Sequence, residues 1–232
     1  MNVPIQMTRL RIRTPLSKVF IDTLVNCVDL YFTHGARSSK KVDEFHRYIA
    51  NSITEFIKLK NLEDIYHVKL EQKIAAVNST GYKKCDIVVF KQNKPFIIMP
   101  VKLVMTNYKQ NKNNYWETLT GELHHIKWAH EDNKENKDFP LNLIPINIYL
   151  SKTPYLDKSQ KIKKFEVITN NDIKQMNILI KKGLTHDIIN YILDVDHKDN
   201  IGDKYAQRPN IVGFNEETPY RELSDILSNL MV

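Results

Sequence analysis

The chain has 232 residues, 34 Lys+Arg against 27 Asp+Glu, and a formal net charge of +7. That length suits one domain of ordinary size, or one with a small appendage, and 42% hydrophobic residues is enough to bury a core, which excludes wholesale disorder. No run approaches the roughly 18 uninterrupted apolar residues of a membrane helix, and MNVPIQMTRLRIR lacks the apolar centre of a signal peptide. Cys27 and Cys85 are too few for a disulfide framework or a cysteine zinc site, so a reducing, cytoplasmic compartment is the expectation. The positive charge favours a polyanionic partner when it is clustered. Here Lys and Asn dominate the middle of the chain. The arginines (Arg9, Arg11, Arg13, Arg37, Arg47, Arg208 and Arg221) leave residues 48–207 empty of that type.

In chain order, residues 1–14 read as a polar arm or short strand. Apolar periodicity from Ser17 to Phe32 predicts a helix that Gly35 ends. Val42, Phe45, Ile49, Ile53, Phe56 and Ile57 recur at spacings of three and four, predicting a second helix over about 41–60. Residues 66–75 and 85–90 read as strands, with a turn at Asn78–Gly81 between them. Residues 91–94 read as a hairpin turn and 95–105 as the returning strand. A helix over 109–131 carries Trp116, Leu119, Leu123, Ile126 and His130 on one face. A polar loop at 131–138 and a strand over 143–150 follow. Three short helices, about 170–182, 184–195 and 219–230, are expected beyond.

The hairpin at 85–105 supplies the most useful geometry. If its turn centres on Asn93, Asp86 faces Pro100 and Lys84 faces Lys102. Alternation along a strand then puts Asp86 and Lys102 on one face as diagonal neighbours. Glu71 sits on the preceding strand, and Glu117 on the helix that follows.

This order of elements, with Asp86 in KKCDIVVF and Lys102 in FIIMPVKL, resembles the PD-(D/E)XK nuclease superfamily, the restriction-endonuclease-like fold. The resemblance covers about residues 40–150. That family carries an Asp on its second core strand and an acid-X-Lys triplet on its third. Here the triplet reads Pro100-Val101-Lys102, and its acid is missing. Some restriction endonucleases of the superfamily carry the acid on the following helix instead, and this chain looks like that variant. Glu117 is the favoured replacement and Glu122, about 140° further around the helix, is the rival.

The resemblance implies a mixed α/β fold with a central mixed sheet of about four to five strands flanked by helices, and extra helices at both ends. Residues 1–232 would form a single nuclease domain with its core at about 40–150, leaving 1–39 and 151–232 for DNA contact or dimerisation. It also implies a Mg²⁺-dependent DNA endonuclease, a type II restriction enzyme acting on double-stranded DNA as a homodimer. The alternatives are a repair or recombination nuclease of the same fold and an inactive DNA-binding relative. Asp86 and Glu117 would hold Mg²⁺ with the Val101 carbonyl, and Lys102 would serve the attacking water. Glu71 would hold a second ion or a bridging water, and Glu44 is a weaker candidate acid. Asn107, Lys109, Gln110, Lys112, Asn113 and Asn114 form an amide- and lysine-rich segment suited to bases or phosphates. Lys83, Lys84, Arg9, Arg11, Arg13, Arg37, Arg208 and Arg221 are further candidate DNA contacts.

Overall fold

The computed structural model describes residues 18–35, 38, 40–169, 171–172, 177–214 and 223–231. Arg9, Arg11, Arg13, Arg37 and Arg221 lie outside the described residues. Two helices open the described chain, α1 (Lys18–His34) and α2 (Lys40–Leu59). Gly35 at φ 82° closes α1, its N–H donating to Tyr31 O at 2.9 Å. Asn61 at φ 53° closes α2, with Leu62 N–H donating to Ile57 O at 3.0 Å in a Schellman arrangement. The periodic residues Val42, Phe45, Ile49, Ile53, Phe56 and Ile57 are all buried, as their spacing predicts.

Strands β1 (Tyr66–Ala75), β2 (Tyr82–Lys91) and β3 (Lys94–Met99) form an antiparallel meander. Gln92 and Asn93 both have positive φ, 49° and 66°, the geometry of a tight two-residue hairpin turn. Ile87 pairs with Met99 and Val88 with Ile98, which sets Asp86 opposite Pro100. Nearer the turn a bulge moves the register by one residue, pairing Phe90 with Pro95.

The strand expected over 95–105 is split. Pro100 has no N–H to give, so β3 stops at Met99 and β4 resumes at Val101–Val104. The strand expected over 143–150 is split likewise, into β5 (Asn142–Leu143) and β6 (Ile146–Leu150) around Pro145. The register survives both breaks. Ile98 pairs with Leu143 and Val101 with Ile146, both parallel, and Ile146 N–H donates to Pro100 O at 2.8 Å in between. Helix α3 (Tyr108–Asp132) makes the crossover between these parallel strands, followed by a 3₁₀ turn at Lys134–Asn136.

The C-terminal part corrects the sequence-based expectation. Residues 184–195 are not a helix: Ile189–Asp196 is strand β9, parallel to β6. Ile189 to Leu193 are all buried, so the segment shows a continuous apolar run, which periodicity cannot separate from a buried helix. A hairpin of β7 (Lys152–Leu156) and β8 (Ile162–Val167) and an edge strand β10 (Asn210–Phe214) are further additions to the expected elements. Within 170–182, residues 171–172 and α4 (Ile178–Lys181) are helical among the described residues, and α5 (Leu223–Leu230) closes the described chain.

Among the described residues the strands form two four-stranded sheets, β1-β2-β3-β5 and β10-β9-β6-β4, and the β7-β8 ribbon. Because β3 runs into β4 and β5 into β6, the two sheets make one mixed array six strands across, wider than expected. Neighbouring residues serve opposite faces. Ile97, Ile87 and Val89 pack with α1, α2 and α5, while Ile98, Val88 and Tyr149 pack with Leu119, Leu123 and Ile126 of α3. No helix among the described residues is long and apolar enough to cross a membrane.

Ile148 is fully buried on β6, whereas Ile201 is 65% exposed. Urea unfolding of Ile148→Ala should show a loss of about 2–5 kcal/mol, and Ile201→Ala should stay within about 0.5 kcal/mol of the parent.

Candidate active site

The break at Pro100 decides the chemistry around it. Val101 N–H, released from the ladder, donates to Asp86 Oδ2 at 2.7 Å. One carboxylate oxygen is thereby tied to the backbone, and Asp86 stays half-buried. Val101 meets Asp86 through its amide N–H.

Asp86 opens onto a cavity of about 100 Å³ bounded by Lys83, Lys84, Pro100, Lys102 and Glu122, with Ile98, Leu123 and Ile126 as apolar lining. That is room for several waters, each needing roughly 10–15 Å³. Lys102 and Asp86 therefore share a cavity, although they come from different strands.

The helix acid at this cavity is Glu122, not Glu117. Helical geometry gives the reason. Leu119, Leu123 and Ile126 aim α3 at the sheet, and Glu122 lies about 70° from that stripe whereas Glu117 lies about 150° away. Glu117 is accordingly exposed. Glu122 Oε1 accepts from Lys83 Nζ, so an ammonium already sits on the carboxylate.

A second cluster of polar side chains includes Asp86. Glu71 stands opposite Asp86, between the pairs Leu70–Ile87 and Gln72–Cys85, and has φ 56° in the middle of a strand. For a non-glycine residue this left-handed conformation is strained, at a cost of order 1–3 kcal/mol. Its carboxylate is paired with Lys84 and lies 3.9 Å from His46 Nδ1. Ligand atoms of His46, Glu71 and Asp86 all fall within 4.8 Å of one another.

His46 was missed from the sequence. It belongs to the buried face of α2, beside Phe45 and Ile49. The visible signal was a titratable side chain inside an otherwise apolar stripe. Burial pushes its pKa below the usual 6.5, while Asp86, Glu71 and Asp43 pull it upward, and burial prevails. Burial also lowers the pKa of Lys41, with the Lys102 charge acting the same way, which places a second ammonium near Lys102. Glu44, two residues before His46, is turned about 200° around the helix. It is held by Asn26 of α1.

The expected DNA-contact residues divide. Asn107 caps α3 in a left-handed conformation, and its side chain accepts from Leu156 N–H at 2.6 Å, so it pins the helix to β7. Lys112 is paired with Asp172 at 2.8 Å in a largely buried contact, and Arg208 is paired with Asp29 at 2.7 Å. These three are committed within the chain. Lys84, Lys109, Gln110, Asn113 and Asn114 are exposed, Lys84 against Glu71.

A scan against protein-family models found no match, and searches of curated proteins and of solved structures found none either.

The depressed pKa of His46 carries a sign. Its unfolded form protonates near 6.5, before the folded form does, so its contribution to stability is present above that pH and fades as pH falls below it. In chelator-containing buffer the urea midpoint should therefore drop as pH is lowered through 6.5. His46→Gln should flatten that dependence. An unchanged slope in the variant would show that His46 is not the titrating group.

Proposed function

We propose that this protein is a divalent-metal-dependent DNA endonuclease of the PD-(D/E)XK type. The observation that carries the proposal is the meeting of Asp86, Lys102 and Glu122 at one cavity, where Pro100 stands in the place of the missing acid. The order of elements supports it: an antiparallel meander β1-β2-β3/β4, the helix α3, and a parallel strand β5/β6 beside the third. The net charge of +7 suits a DNA polyanion, whose phosphates would attract the exposed lysines.

The donor set suits a hard cation. Asp86 and Glu122 offer carboxylate oxygens, the ligands that Mg²⁺ takes. When bound there, Mg²⁺ would polarise a phosphodiester and lower the pKa of a coordinated water. The remaining roles fall to the chain. Asp86 keeps one oxygen on the Val101 amide, which fixes its orientation. Lys83 holds Glu122 until a cation replaces it. Lys102 orients the attacking water and offsets the negative charge that builds on the phosphate. The apolar side chains Ile98, Leu123 and Ile126 limit bulk water on one side of the cavity.

A type II restriction enzyme is the specific form we favour, acting as a homodimer because two strands of a palindrome need two centres related by a two-fold axis. The other reading is a DNA-binding relative without catalysis. Pro100 favours that reading, because it removes the acid that the motif expects.

Plasmid DNA incubated with the protein and Mg²⁺ should give discrete fragments, and Asp86→Ala or Lys102→Ala should abolish them. Glu122→Ala should slow cleavage at limiting Mg²⁺ by about ten-fold or more, since even partners beyond a metal's ligand shell cost that much, while Glu117→Ala should leave the rate near that of the parent. DNA binding without cleavage in any divalent ion would support the inactive relative.

A further inference from the structure

We propose that His46, Glu71 and Asp86 form a second cation site, of mixed nitrogen and oxygen donors, selective for a transition-series divalent ion over Mg²⁺. It deepens the nuclease reading, since Asp86 would be shared with the cavity of Glu122 and Lys102. Its role in cleavage rests on that reading, but the binding itself does not.

Three observations converge. The donor atoms lie within 4.8 Å of one another, close enough for small side-chain rotations to bring them around one ion. Next, His46 is 4% exposed, and its Nε2 has no hydrogen-bond partner. The nitrogen that faces Glu71 is Nδ1, and at 3.9 Å from Oε1 it is near the carboxylate without being bonded to it. A buried polar side chain is normally satisfied, so this imidazole has room for a partner between it and the two acids. Last, Lys84 already places an ammonium on Glu71, which shows that the position attracts positive charge. Lys84 is itself exposed and can swing away when a cation arrives.

The donor types set the selectivity. Mg²⁺ prefers an all-oxygen, near-octahedral shell with retained waters. Imidazole nitrogen binds transition-series ions more readily than Mg²⁺. Two carboxylates and one imidazole therefore favour Mn²⁺ at this position, while the Asp86–Glu122 side retains oxygen donors suited to Mg²⁺.

The test uses the full chain without DNA. Mn²⁺ is titrated and the free ion is followed by electron paramagnetic resonance, with Mg²⁺ as competitor. The parent should hold Mn²⁺ against excess Mg²⁺. His46→Gln and Glu71→Gln should each weaken Mn²⁺ binding by about ten-fold or more, since even partners beyond the ligand shell cost that much. Lys84→Ala should tighten it by removing the competing ammonium. Equal Mn²⁺ affinity in the parent, His46→Gln and Glu71→Gln would overturn the proposal. So would equal displacement by Mg²⁺ in all three. Glu71 is exposed, so its variant decides the matter if His46→Gln fails to fold. His46-dependent Mn²⁺ binding in a protein that cuts no DNA would sink the nuclease reading and leave this site standing. Cleavage in Mg²⁺ with no His46-dependent binding would do the reverse.

Discussion

The parallel pairing of β3/β4 with β5/β6 keeps one register although Pro100 and Pro145 both lack a ladder donor. This pairing joins two sheets and separates two cores, so the array depends on satisfying the groups that the prolines release. Pro100 O accepts from Ile146 N–H, and Asp86 accepts from Val101 N–H. A buried amide with no partner costs about 1–3 kcal/mol. Asp86 is thus tied to the repair of the sheet as well as to the cavity beside it. A carboxylate committed to a backbone amide is held in one orientation, which a metal ligand or general base also requires.

The electrostatics follow from this placement. Asp86, Glu71 and Glu122 converge from two strands and a helix, and like charges this close repel. Lys84 on Glu71 and Lys83 on Glu122 relieve the repulsion in the chain as it stands. Lys102 and Lys41 add positive charge nearby. Both lysines paired with the acids are at least partly open to solvent, so their contacts are weak and exchangeable. The opposite holds for Lys112 and Asp172, whose shielded pair fastens α3 to the segment at 172.

Much of the fold was legible locally. The α2 stripe, the left-handed stops at Gly35 and Asn61, and the hairpin turn at Gln92–Asn93 express their own residue chemistry. The inner strand β9 was not legible. Buried on both faces, it shows no alternation, and only its neighbours β6 and β10 define it as a strand. The β7-β8 hairpin was hidden for a different reason. Its residues are largely lysine-rich and polar, and its pairing is fixed by docking against α3 through Asn107 and Glu166.

The site divides along the same line. Asp86, Lys102 and Pro100 could be related from the sequence, because a hairpin converts spacing along the chain into pairing across it. Period-two alternation then assigns faces. Which helix acid approaches them could not be obtained that way. It depends on how α3 rotates about its axis, and that rotation is set by burying Leu119, Leu123 and Ile126 against the sheet. His46 likewise comes from a helix distant in sequence, and only packing of α2 onto β1 and β2 brings its ring to Glu71 and Asp86. The amino-acid sequence by itself determined the charged hairpin and the proline that interrupts it, because both follow from local backbone chemistry. Tertiary structure decided the partners, Glu122 and His46, because the angular setting of a helix is a property of the whole core.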